Sequence, residues 1–360
     1  MFDRYRLEIA FAHRTFAWGS DARGKAHVHV VVIGLVQGDK EPAMKRLFSY
    51  EDINGDPTES QHKALTPYLF DASALADRHL VVHETNNQIS GAPKLIIGSK
   101  PIDKGYYIFD AAKRTAFLNR EPRTAGYPRP FVGSKEFING NERWILALDA
   151  AHTGDLRAMP AVIERIEAVK RMRLASPSRP TQQLALTPTR YHVTVIPDQS
   201  SFVIPEVSSE RRDYIPMGWL EPPTIPSNLL RVLLDADLYH FGILTSRMHM
   251  AWLRHIGGRL KSDYRYSIGL VYNTFPWTMV SKAQQQKICT LAQTVLDIRA
   301  KYTGVTLADL YDPTLMKTDL RKAHQALDSA VDNSIDQPLL LVIVIEWNIY
   351  SAFMKRMLPP

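Results

Sequence analysis

The first long apolar stretch, His27 to Leu35 (HVHVVVIGL), is nearly continuous and rich in valine. Such a run predicts a strand covered on both faces, as in an α/β sheet. Only 26 residues precede it. They hold too little to supply neighbouring strands, so the rest of that sheet is expected to be missing. Gly38 to Thr66 is polar and turn-rich, and reads as a connection. Between residues 90 and 150, short apolar pieces (PKLIIGSKP, YYIFD, RPFVGSKEFING, RWILALD) are punctuated by Gly and Pro, a β-rich pattern. From Thr153 to about Leu174, Leu156, Met159, Val162, Ile163, Ile166 and Val169 recur at helical spacing, with Arg165, Lys170, Arg171 and Arg173 opposite. Tyr191–Ile196 and Phe202–Pro205 read as paired strands, Asp235–Arg254 as one helix, and Tyr264–Tyr272 as an alternating strand. Amphipathic helices are expected at about Lys282–Lys301 and Thr318–Val331. No repeat or low-complexity segment is visible.

Composition adds a direction. The 360 residues are 45% hydrophobic and 22% charged, with a net charge of +7, as in an ordinary soluble chain with an acidic partner. The single cysteine, Cys289, excludes an internal disulfide and a cysteine zinc site, and fits a reducing compartment. There is no signal-peptide core at the start, and the longest apolar run, Leu339–Ile345, is far too short to span a membrane. A soluble, cytoplasmic chain is expected.

The chemical motifs mostly exclude. Gly19–Lys25 (GSDARGK) imitates a phosphate loop, but Ala26 stands where the magnesium-holding hydroxyl belongs, and the segment precedes a strand instead of following one. The 12 histidines include no HExxH, so no metal ligands are expected. No GxSxG, no Asn-Pro-Pro-aromatic tetrapeptide and no glycine-rich strand-to-helix turn occurs. Neither catalytic nor cofactor-binding residues can be named. What remains is basic and polar: Ser208, Ser209, Arg211 and Arg212 after a strand, Arg247 in a helical pattern, and Arg259, Lys261, Asp263 and Arg265 after the Gly257-Gly258 turn. Any one group suits a solvated loop. Together, interleaved with Trp219, Tyr239, Trp252, Tyr264 and Tyr266, they suit DNA, with Arg and Lys as phosphate or guanine donors and Asp as an acceptor for cytosine.

At these residues the chain resembles a known family. FAHRTFAWGSDARGKAHVHVVVIGL is similar to the end of the methyltransferase domain in the MmeI-like family of adenine-specific restriction-modification enzymes. ISGAPKLIIGSKPIDKGYYIFD, RPFVGSKEFINGNERWILAL, FVIPEVSSERRDYIPMGWL and GGRLKSDYRYSIGLVYNTFPW resemble its target recognition domain, and LADLYDPTLMKTDLRKAHQALDSAVD its helical end. The resemblance implies an α+β chain in pieces. Residues 1–60 would be the remnant edge of a Rossmann-like methyltransferase sheet plus a connector. Residues 61–276 would be a mixed α/β DNA target recognition domain, and 277–333 a helical C-terminal domain. It implies double-stranded DNA as partner. It also implies S-adenosylmethionine as cofactor of the complete enzyme, with none bound by this chain. Phe16 and Trp18 are candidates for stacking on an extruded adenine. A separate polypeptide carrying the methyltransferase core, or a decayed non-catalytic remnant, are the alternatives.

The tail, 334–360, departs from the family pattern. Read one nucleotide early, the codons for Val344–Lys355 permit S-D-R-V-E-Y-L-F-S-L-Y-E-K, close to the family's last helix. A single-nucleotide frameshift near Asn333 is therefore expected, leaving Leu339–Ile345 as an aggregation-prone window.

Overall fold

The computed structural model describes residues 2–19, 28–73, 77–79, 81–277 and 280–334. The phosphate-loop imitation beyond Gly19 and the expected frameshifted tail from 335 lie outside these residues. The chain divides into two units, Met1–His83 and Glu84–Ser334.

In the first unit a helical turn, α1 (Phe2–Tyr5), leads into β1 (Leu7–Trp18), β2 (Val28–Gln37), β3 (Lys45–Ser49) and β4 (Thr58–His62). They form one sheet in the order β2-β1-β3-β4, with β1 and β3 parallel and the other pairs antiparallel. Ile9, Ala12 and Leu47 pack with Leu65 and Leu69 under one face. The valine-rich run is not a strand covered on both faces. It is the edge strand β2, and Val28, Val31, Ile33 and Leu35 are exposed. Ile33 and Leu35 pair with Ala12 and Ile9, so they extend the core face of β1 past its cover. The expected connection, 38–66, instead supplies β3 and β4. Its polarity fits an outer edge strand, and Arg46 makes a two-pronged ion pair with Glu59 across it (2.8 Å for each bond).

The second unit is mixed α and β, as expected. In chain order its elements are β5 (Leu95–Ile97), β6 (Ile108–Phe109), α2 (Ala111–Arg120), β7 (Pro128–Val132), α3 (Ser134–Asn139), β8 (Trp144–Leu146), α4 (Thr153–Arg157), α5 (Pro160–Leu174) and α6 (Arg179–Gln183). There follow β9 (Ser201–Pro205), β10 (Val207–Ser208), β11 (Gly218–Leu220), β12 (Ile225–Pro226), β13 (Leu230–Leu233), α7 (Leu238–Leu244), α8 (Arg247–Ile256), β14 (Gly258–Leu260), β15 (Asp263–Arg265), α9 (Lys282–Lys301), α10 (Leu307–Leu310) and α11 (Thr318–Asp332). They build three sheets, in the orders β11-β9-β13-β5, β12-β7-β8-β6 and β10-β15-β14.

Four local expectations change, each for a physical reason. The helix expected from Thr153 breaks before Pro160, which serves as the first residue of α5 because an interior proline cannot donate to the ladder. The helix expected over Asp235–Arg254 breaks at Thr245-Ser246, where the Ser246 hydroxyl caps α8 by accepting from the His249 N–H. Tyr264–Tyr272 is the strand β15 followed by a π-helical turn over Ile268–Tyr272. Tyr191–Ile196 makes only an isolated bridge, Val193 to Lys100, and does not pair with β9.

Arg173, on the expected polar face of α5, is fully buried. Its guanidinium donates to five carbonyls, those of Pro101, Ile102, Leu184, Thr187 and Arg190, at 2.8–3.2 Å. It ties the chain on either side of α6 to the loop around Ile102, where Ile102 and Lys104 hold positive φ. We expect Arg173→Met to cost on the order of 3–5 kcal/mol, because five carbonyls lose the buried guanidinium that they converge on. Urea unfolding measures this, and a loss below about 1 kcal/mol would remove the residue from that role.

The helical end packs into the same unit. Gly242 permits the approach of α7 to α9, since a Cβ there would meet Ile288 Cγ2 at 2.6 Å. Asp328 of α11 accepts from Tyr214 Oη (2.6 Å) and from the backbone N–H of Arg247 (2.7 Å). Burial raises the Asp328 carboxyl to about 6. Two buried histidines move the other way. His249 (Nε2 to Tyr266 Oη, 2.8 Å) and His324 (Nε2 to Tyr311 Oη, 3.0 Å) are pushed down to about 3, in both cases chiefly by burial. Each histidine takes up a proton on unfolding between its ordinary value of about 6.5 and 3, so stability falls as the pH drops through that window. Asp328 opposes this between about 3.8 and 6, where the folded state holds its proton. The Asp332 carboxyl, also raised by burial, opposes the histidines together with Asp328, so the part played by one histidine is read by removing it. Between about pH 6.5 and about pH 4.5 the pH slope of the denaturation midpoint should shift by about one proton toward acid resistance in His324→Gln. An unchanged slope in that variant would contradict the assignment.

Candidate nucleic-acid interface

Two of the three polar segments, 208–212 and 259–265, meet in the sheet β10-β15-β14. Ser208 pairs with Tyr264, and Val207 with Arg265. On the other side of β15, Arg259 pairs with Tyr264, Gly258 with Arg265, and Leu260 with Asp263. Cross-strand partners share a face. Tyr264 and Ser208 are buried, so their row faces inward, and Val207, Arg265, Asp263 and Leu260 face outward. Lys261 and Ser262 close the hairpin, with Lys261 at φ 57°.

The outer face is anchored to the core beneath it. Glu206 lies between β9 and β10. Its Oε1 pairs with the Arg231 guanidinium at 2.7 Å and lies 3.4 Å from Arg265 Nε. Arg231, buried on β13, also donates to the Tyr266 carbonyl (3.3 Å) and the Asn228 carbonyl (3.0 Å). The Asp263 carboxylate accepts from the Glu210 N–H at 3.3 Å, which joins the tip of the hairpin to the 208–212 turn.

The arginines differ in what occupies them. Arg211 is exposed, and among the described residues its guanidinium makes a long ion pair to Asp312 (3.9 Å). Arg212 is half-buried. Its side chain donates to Ser208 Oγ (3.3 Å), and burial lowers its pKa against the pull of Asp263 and Asp312. Ser209 shapes the turn: its carbonyl accepts from the Arg212 N–H (3.2 Å). The Arg259 guanidinium lies over the Tyr264 ring, 4.1 Å from its centroid. Arg265 is exposed beyond its contact with Glu206. Arg247 does not belong to this sheet. It opens α8, and its guanidinium pairs with Asp332 at 2.6 Å. Sequence reasoning missed Glu206, Arg231 and Leu260. Only the pairing of strands distant in sequence brings Glu206 and Arg231 to the hairpin, whereas Leu260 belongs to it and shows its outward position only through the register.

The aromatic pair of the first unit lies on β1. Phe16 stacks on Tyr50 (5.0 Å between centroids), beside His13 stacked on Phe48 (4.2 Å). Trp18 is 53% exposed. Among the described residues, no group of three or more His, Cys, Asp or Glu could hold a metal ion, and no helix is long and apolar enough to cross a membrane.

Comparison with known proteins gives a consistent pattern. Residues 76–279 match the MmeI target recognition domain, 280–339 the MmeI C-terminal domain, and 1–49 the MmeI DNA-methyltransferase domain. A curated relative from Bacillus subtilis (strain 168), DNA methyltransferase A, is 39% identical over 334 residues. That match covers 93% of this chain and 36% of the relative. The solved structure of the type IIL restriction-modification enzyme MmeI in complex with DNA is 39% identical and superposes with a TM-score of 0.87. It covers 97% of this chain and 46% of that one.

Proposed function

Because this chain belongs to the MmeI target recognition domain family, we propose that it recognises a specific sequence in double-stranded DNA, with the outer face of β10-β15-β14 as its reading surface. The observation that carries this is the convergence of two basic segments, 208–212 and 259–265, on one exposed sheet. The site it reads is that of an adenine-N6 methyltransferase of a restriction-modification system, acting in the cytoplasm. S-adenosylmethionine serves the complete enzyme, and the residues that bind it belong to the rest of the methyltransferase domain, in the same or a separate polypeptide. The exposed apolar residues of β2 are a suitable surface for that remainder. Trp18, more open than Phe16, is the better face for stacking on an extruded base.

A two-stranded ribbon fits the major groove, where every base pair offers a distinct pattern of donors and acceptors. Lys261 donates to guanine N7 and O6, and Asp263 accepts from cytosine N4, so the hairpin reads one G·C pair. Arg211 and Arg265 hold phosphates at its flanks. Arg212 acts through the fold, by supporting Ser208 from the inner side.

Two outcomes test this reading. Exchanging the charges (Lys261→Asp with Asp263→Lys) should change the preferred base at one position among duplexes selected from a random library, and leave the others unchanged. An unchanged consensus would dismiss the assignment. Arg211→Ala should lower the slope of log affinity against log salt by about one unit at constant sequence preference. A shifted preference would make Arg211 a base reader instead.

A further inference from the structure

Beside the half-buried Val207, the outer face of the reading sheet carries an exposed residue that no hydrogen-bonding role explains. Leu260 ends β14, opposite Asp263 and next to Lys261, and it is 54% exposed. Leu174 and Leu186 are exposed as well, but they belong to α5 and to the segment after α6, not to this sheet. Leu260 shares its face with Asp263 and Arg265. A leucine side chain neither donates nor accepts. In the major groove the base edges present one apolar group, the C5-methyl of thymine.

We propose that Leu260 is a specificity-determining residue that reads a thymine through its methyl group, in the base pair next to the one read by Lys261 and Asp263. The inference rests on the sheet being the DNA-reading surface. The spacing suits it, since Leu260 lies directly opposite Asp263, and neighbouring strands are about 4.8 Å apart, of the order of one 3.4 Å step between bases. The neighbouring charges suit it too. Lys261 and Arg265 draw the ribbon onto the duplex, and the leucine is then covered by the thymine methyl instead of by water.

The test uses the full chain and duplexes selected from a random library, with each thymine of the preferred site replaced in turn by deoxyuridine. The unaltered chain should lose affinity roughly four-fold at one thymine, the worth of one buried methyl. That thymine should adjoin the position whose preferred base changes on exchange of Lys261 and Asp263. Leu260→Ala should bind the thymine and deoxyuridine duplexes equally, and Leu260→Met should keep the difference. Non-specific binding at low salt should be the same in all three, since the side chain is exposed. Absence of thymine from both strands at the neighbouring pairs, or an equal loss in Leu260→Ala, overturns the proposal while leaving the reading surface intact. If the unaltered chain prefers no sequence at all, the reading surface fails and this inference falls with it.

Discussion

The buried ion pair between Arg231 and Glu206 is what joins the core of the second unit to the sheet that faces outward. Glu206 stands where the chain steps from β9 into β10, and Arg231 belongs to β13, which pairs with β9. The same guanidinium reaches the Tyr266 carbonyl just beyond β15. One side chain therefore holds both ends of the outer sheet's connection. Burial lowers the Arg231 pKa, and Glu206 counters it. Removing one member of such a pair strands the other charge and costs about 3–5 kcal/mol. The outer residues thus sit on a foundation that is expensive to disturb, which suits side chains that must be held in register against a rigid partner.

Much of this was legible in the sequence, and the rest was hidden for identifiable reasons. The long helices α9 and α11 followed from their spacing alone. The two polar segments were found by composition and turn signals. Their convergence was not, because β10 and β15 are short and pair across the whole of α7 and α8. Helix breaks at Pro160 and Ser246 were carried by single residues within otherwise helical patterns. The valine-rich run misled most. Continuous apolar sequence means that both faces of a strand are apolar, and β2 fits that description while lying at an edge. Arg173 looked like a solvated charge by its place opposite the apolar stripe. Its burial depends on carbonyls from two distant loops, which no local pattern records.

The helical end is more than an appendage. Asp328 of α11 caps the backbone of Arg247 and accepts from Tyr214, while Arg321 pairs with Asp213 at 3.0 Å. Asp213 and Tyr214 follow directly on the 208–212 turn. The base of that turn is therefore fixed by contacts with α11, and the segments matching the recognition and C-terminal domains form one unit.

The positive φ of Lys261 limits how this hairpin can diverge. Glycine, asparagine and aspartate adopt that conformation at little cost, whereas β-branched residues are strained in it. On the proposed reading of DNA by this hairpin, lineages changing their target would then move through a narrow alphabet at this position. A thymine-seeking valine or isoleucine is barred there by the backbone itself. New apolar contacts would have to arise at neighbouring strand positions, whose extended geometry admits any side chain. The turn thus acts as a filter on the order in which substitutions can accumulate, and the history of specificity in such chains should carry its imprint.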